Sequence, residues 1–127
     1  MAGEPILVVD DNPAQLKLLS ALLECAGHPV RTAPDANEAI ALLRTFRPSL
    51  ILMDLQPPGI DGLPLSRMLK SNPSLRDIII VGVTAYGFQE DEDRVREAGC
   101  DGYLSKPIDT RALPDVIASY LHPAVGQ

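Results

Sequence analysis

The stretch Ile6-Leu7-Val8-Val9-Asp10-Asp11-Asn12-Pro13 packs a strand, its abrupt end and a helix start into one short segment. Consecutive apolar residues, most of them β-branched, predict a strand buried on both faces. Two carboxylates end it. Asn12 then offers an N-cap, and Pro13 suits the first helical position, where a missing N–H costs nothing. Leu16, Leu19, Leu23 and Ala26 continue as one helical face, and Gly27 is a natural stop.

The same grammar recurs outward from this segment. Pro29–Ala33 reads as a weaker, more exposed strand, and Asp35 caps a helix on Ala39, Ile40 and Leu43 that ends before Pro48. Leu50–Met53 is a third strand running into Asp54, followed by a turn-rich loop, Leu55–Gly62. A third helix uses Leu65, Met68 and Leu69 and closes at Ser71-Asn72-Pro73. The fourth strand, Ile78–Val83, ends at Thr84, and a polar fourth helix is expected over about Phe88–Ala98, before Gly99. A short strand, Gly102–Leu104, leads into Ser105-Lys106-Pro107, and the last helix is expected from about Thr110 to Leu121. Strand–helix alternation of this kind predicts an α/β fold, a parallel sheet with helices on both faces. Ligands in such folds sit at the carboxyl ends of the strands.

Composition narrows the function classes. A chain of 127 residues, 46% hydrophobic and 22% charged, suits one globular domain spanning 1–127, with its core over about 5–121. No uncharged run exceeds 12 residues, so no membrane insertion is expected, and the N-terminus lacks a secretory pattern. The net charge of −6 argues against direct nucleic-acid binding. Cys25 and Cys100 are expected as free thiols in the cytoplasm.

The residues just past the strands are chemically complementary. Asp10 and Asp11 follow the first strand, Asp54 the third and Thr84 the fourth, while Lys106 lies two residues past the fifth. Like charges crowded in this way force a proton onto one of them or recruit a cation. Carboxylate oxygens without histidine or thiolate select Mg²⁺ rather than zinc. Mg²⁺ and Lys106 together balance three ionised carboxylates, so a phosphoryl group can be added to one. That is the requirement for an aspartyl-phosphate.

Val8-Val9-Asp10-Asp11-Asn12, Ile51-Leu52-Met53-Asp54-Leu55-Gln56, Val83-Thr84-Ala85 and Tyr103-Leu104-Ser105-Lys106-Pro107 together resemble the receiver domain of bacterial two-component response regulators. The resemblance implies a flavodoxin-like three-layer sandwich: a five-stranded parallel sheet of order 2-1-3-4-5 with five helices. It also implies residue roles. Asp54 is the phosphoacceptor, supplied by a histidine kinase or histidine phosphotransfer protein. Asp11 and Asp54 bind Mg²⁺ directly, Asp10 mainly through water, and Gln56 through its backbone carbonyl. Lys106 pairs with the phosphoryl oxygens, while Thr84 and Tyr103 form the switch. The Lys106–Pro107 bond is one often cis in the family. Such a chain is not an enzyme beyond its own phosphorylation and dephosphorylation. It signals to a downstream protein target through the fourth helix, fifth strand and fifth helix, with homodimerisation on phosphorylation as one output.

Some residues depart from the pattern or read more plainly. Pro57 stands where the family usually has methionine and removes an N–H beside the metal loop. Tyr86, two residues past Thr84, is expected to hinder water and lengthen the phosphate's lifetime. Glu90-Asp91-Glu92-Asp93 reads first as anions at a helix N-terminus. His28 and His122, in Gly-His-Pro and Leu-His-Pro turns, read as exposed turn residues. Ala14, Gln15 and Leu18 form the face on which the resemblance would dock a phosphodonor helix. A stand-alone receiver is the expected form; the alternatives are a receiver excised from a hybrid histidine kinase or larger regulator, and a Mg²⁺-dependent phosphatase with an aspartyl nucleophile. A flavodoxin is excluded by Asp10-Asp11, which would repel a flavin phosphate.

Overall fold

A computed structural model describes residues 3–55, 62–84, 96, 99–105 and 108–122. Its strands are β1 (Ile6–Val9), β2 (Val30–Ala33), β3 (Leu50–Asp54), β4 (Ile79–Thr84) and β5 (Gly102–Ser105). The helices among the described residues are α1 (Pro13–Cys25), α2 (Ala36–Leu42), α3 (Gly62–Ser71) and α4 (Leu113–Leu121). The strands form one parallel sheet of order β2-β1-β3-β4-β5, the order that the resemblance implies. The helix expected over about 88–98 lies, apart from Arg96, outside the described residues.

Side-chain alternation divides the core into two layers. Leu7, Val9, Ile51, Met53 and Ile80 face α2 and α3, meeting Ala39, Leu65 and Leu69. Ile6, Val8, Leu50, Leu52, Val81 and Val83 face the other way, onto Leu19 and Leu23 of α1 and Leu113 and Ile117 of α4. Every residue of β1 and β3 is buried, as two-sided coverage by helices requires. The edge strand β2 exposes Arg31 and Thr32 instead.

Several element ends depart from the sequence reading. The last regular helix spans Leu113–Leu121, and a turn over 110–112 leads into it from near the expected start: the Asp109 carboxylate accepts hydrogen bonds from the N–H groups of Arg111 and Ala112, and the Leu113 N–H donates to the Asp109 carbonyl at 3.0 Å. Asp109 thus leads into this helix by the same bonds with which Asn12 starts α1. β3 and β4 each run one residue further than expected, through Asp54 and Thr84, since Asp54 pairs with Val83 and Thr84 with Ser105. The helix stop at Gly27 is seen directly: its φ of +99° lies in the region that favours glycine.

His122 is exposed, as expected, and His28 is half-buried, and both meet Glu4. His28 Nδ1 lies 3.0 Å from the Glu4 carbonyl, and His122 Nε2 lies 2.9 Å from the Glu4 carboxylate. Glu4 leads into β1 between the segment entering β2 and the end of α4, which brings both histidines to it, and sequence separation hid this. Lys70 performs a comparable task at the end of α3. Its ammonium donates to the carbonyls of Arg76 and Ile78 and to Asp101 at 2.8 Å.

The two cysteines are free but unequal. Cys25 is exposed, whereas Cys100 is partly buried and donates to Ser66 Oγ at 3.6 Å. Burial pushes the Cys100 thiol up, with the Ser66 hydrogen bond opposing it. Iodoacetamide at mildly alkaline pH is therefore expected to alkylate Cys25 well before Cys100, because the thiolate is the nucleophile. Peptide mapping over a time course checks the order, and equal rates would contradict it.

Candidate functional site

The chain runs from β1 outward to β2, then crosses back to β3 on the other side. Strand order reverses there, and a crevice opens at the carboxyl ends of β1 and β3. Into it come Asp10, Asp11 and Asp54. Each offers a carboxylate oxygen, and these oxygens all lie within 4.8 Å of one another. Register explains the meeting: Val9 pairs with Met53, so the next residue on each strand is an aspartate at the same level.

Local chemistry holds the acids differently. Asp10 and Asp54 are 3% and 4% exposed, whereas Asp11 stands in solvent at the rim. The Asp10 N–H still donates to the Ala33 carbonyl at 3.1 Å, extending the strand ladder by one step. Its side chain accepts the Asn12 N–H at 2.9 Å. Asn12 in turn caps α1, its Oδ1 accepting from Ala14 and Gln15 at 2.9 and 3.2 Å. One short relay thus fixes both an acid of the cluster and the helix start. Sequence reading found the cap but missed the bond to Asp10, although an Asp two residues before an N–H is the pattern of an Asx-turn.

Asn12→Ala is expected to cost about 1 kcal/mol, the usual loss for a removed N-cap. Urea unfolding checks it; a change below about 0.3 kcal/mol would show that the cap is dispensable.

The other expected site positions differ in how far they are described. The backbone of Thr84 ends β4 one step past the partner of Asp54, beside Ser105 on β5. Tyr103 is half-buried against the layer that holds Met53 and Leu55. Gln56, Pro57, Tyr86, Glu90–Asp93, Lys106 and Pro107 lie outside the described residues.

The described acids suit a hard divalent cation. All donors are carboxylate oxygens, with no thiolate or imidazole in the cluster. Their oxygens, all within 4.8 Å of one another, are near enough for one such ion to be held among them, directly or through water.

Comparison with known proteins agrees with this geometry. The family model for the response regulator receiver domain matches residues 6–118. The polar-differentiation response regulator DivK of Brucella anthropi is 40% identical over 119 residues, which cover 94% of this chain and 97% of that protein. The DivK of Brucella ovis is 39% identical with the same coverage. Among solved structures, the signal receiver domain of a signal transduction histidine kinase from Syntrophus aciditrophicus is 31% identical. It superposes with a TM-score of 0.85, covering 98% of this chain and 95% of that one. The receiver domain of a sensor histidine kinase from Pseudomonas aeruginosa PAO1, solved with a magnesium ion coordinated in its active-site cleft, is 30% identical. Its TM-score is 0.83, with 94% of this chain and 98% of that one covered. A family match spanning every strand and most of the last helix, with relatives matched almost end to end, makes this chain a member of the response regulator receiver domain family.

Proposed function

We propose that this receiver takes a phosphoryl group onto Asp54 from a phosphohistidine of a histidine kinase or histidine phosphotransfer protein, with Mg²⁺ as the required ion. The supporting observation is the meeting of Asp10, Asp11 and Asp54 within 4.8 Å at the strand-order reversal. An oxygen of Asp54 forms the new bond to phosphorus as the bond to the donor nitrogen breaks. Bound Mg²⁺ supplies charge neutralisation between the acids and the phosphoryl oxygens. Asp11, at the exposed rim, holds the ion directly; Asp10, pinned by the Asn12 N–H, acts mainly through water. In this reading the Gln56 carbonyl completes the ion's protein ligands and Lys106 pairs with the phosphoryl oxygens.

Phosphorylation adds about −1.5 to −2 of charge at the crevice. Thr84 and Tyr103 are the proposed responders, carrying the change to the face around β5 and α4 and so to a protein target. A donor helix fits the outer side of α1, where Leu18 is 45% exposed. Beside it, a concavity of about 680 Å³ is lined by Ala14, Lys17, Ala21 and Thr32 among others. Among the described residues no helix is long and apolar enough to cross a membrane; a cytoplasmic location is part of the proposal.

The test is intact mass after incubation with acetyl phosphate. Addition of one phosphoryl group in Mg²⁺, and none in EDTA, is the expected result. Addition that ignores EDTA would remove the metal from the mechanism.

A further inference from the structure

Arginines gather at the end of the sheet opposite the acidic crevice. Arg31 is the second residue of β2, Arg44 and Arg47 lie between α2 and β3, and Arg76 lies just before β4; all four are exposed. Folding brings these separate segments together. The Arg31 guanidinium sits 5.5 Å from the centre of the Phe46 ring. Phe46 lies between Arg44 and Arg47, and Arg47 donates to the carbonyl of Ser74, two residues before Arg76. The backbone carbonyl of Arg76 is held by Lys70.

The charge is neutralised only in part. The ion pairs among the described residues, Lys70–Asp101 and Glu4–His122, involve none of the four arginines. Glu4, Asp77 and Asp101, which precede β1, β4 and β5 at this same end, offset part of their charge, with Asp101 paired to Lys70 and Glu4 to His122, while residues 39–53 and 62–76 contain no acid. A chain with net charge −6 therefore carries a basic pole about 15 Å from its acidic one, the length of a short strand.

We propose that this guanidinium cluster is a docking surface for a carboxylate-rich segment of a partner protein. Each guanidinium presents several N–H donors in a fork that matches a carboxylate. Stacking on Phe46 and the bond to Ser74 hold two of the forks in place, which lowers the entropy lost on binding. A long nucleic acid would meet repulsion from the net charge and the acidic crevice. A lipid surface would need an apolar side chain to insert. The exposed large apolar residues among those described, Leu18 and Met68, lie on α1 and α3. The surface is independent of phosphoryl transfer at Asp54.

The experiment titrates the ¹⁵N-labelled chain with a dye-labelled oligoglutamate peptide at low salt, reading amide shifts and fluorescence anisotropy. Shifts are expected at residues 31, 44–47 and 74–76, with affinity falling as salt screens the charges. In the double variant Arg44→Gln/Arg76→Gln the affinity is expected to fall about tenfold, a change consistent with losing two charge-assisted contacts. Those two side chains anchor neither neighbouring loop, so the fold is expected to persist; an unchanged melting curve checks this. The exposed Arg67→Gln on α3 serves as control and is expected to bind like the parent. Equal affinity of parent and double variant, shifts centred elsewhere, or no saturable binding would overturn the proposal. So would stronger binding, at this same surface, of a DNA oligonucleotide or of vesicles containing phosphatidylglycerol.

Discussion

Asp54→Ala, incubated with Mg²⁺ and acetyl phosphate, is expected to gain no phosphoryl mass under conditions that fully modify the parent. The buried carboxylate at position 54 is the proposed nucleophile, and alanine supplies no oxygen to form the bond to phosphorus. Positioning and charge stabilisation by the remaining groups still act, but on a reaction without an attacking atom. The loss should exceed the hundredfold or so seen when a single stabilising donor is removed from an active site. Asp54→Asn separates this from packing, since the amide keeps the shape and removes the charge. Comparable phosphorylation of either variant, mapped to Asp10 or Asp11, would move the acceptor elsewhere in the cluster.

The second large effect concerns the core that holds the crevice. Ile51, the second residue of β3, is fully buried, paired with Leu7 on one side and Ile80 on the other. Ile51→Ala removes methyl groups where three strands meet α2 and α3, and the neighbours can collapse only in part. A loss of about 2–5 kcal/mol is expected, which lowers the melting temperature by about 10–20 °C for a domain of this size. Leu18→Ala, at a position 45% exposed, should stay within about 0.5 kcal/mol. Chemical denaturation of both variants tests the contrast; similar stabilities would mean that β3 is not the mechanical centre of the sheet.

The strands were readable because burial on both faces demands unbroken apolar runs, as in Ile6–Val9 and Leu50–Met53. The start of α1 was readable because Asn12-Pro13 is a local signal. The lead-in to α4 from near Thr110 follows the same local chemistry: Asp109 accepts from the N–H groups of Arg111 and Ala112 as Asn12 does from Ala14 and Gln15. The fate of His28 and His122 was beyond local reading altogether. Both meet Glu4 through contacts between segments far apart along the chain.

Residue order alone settled the alternation of strand and helix, and the kinds of side chain that end each strand. Those features follow from steric preference and solvent exclusion over a few neighbouring residues. Which acids share one crevice, and which arginines share the opposite pole, needed the folded chain. Both groupings arise from strand register and crossover connections, which bring together residues that no local interaction links.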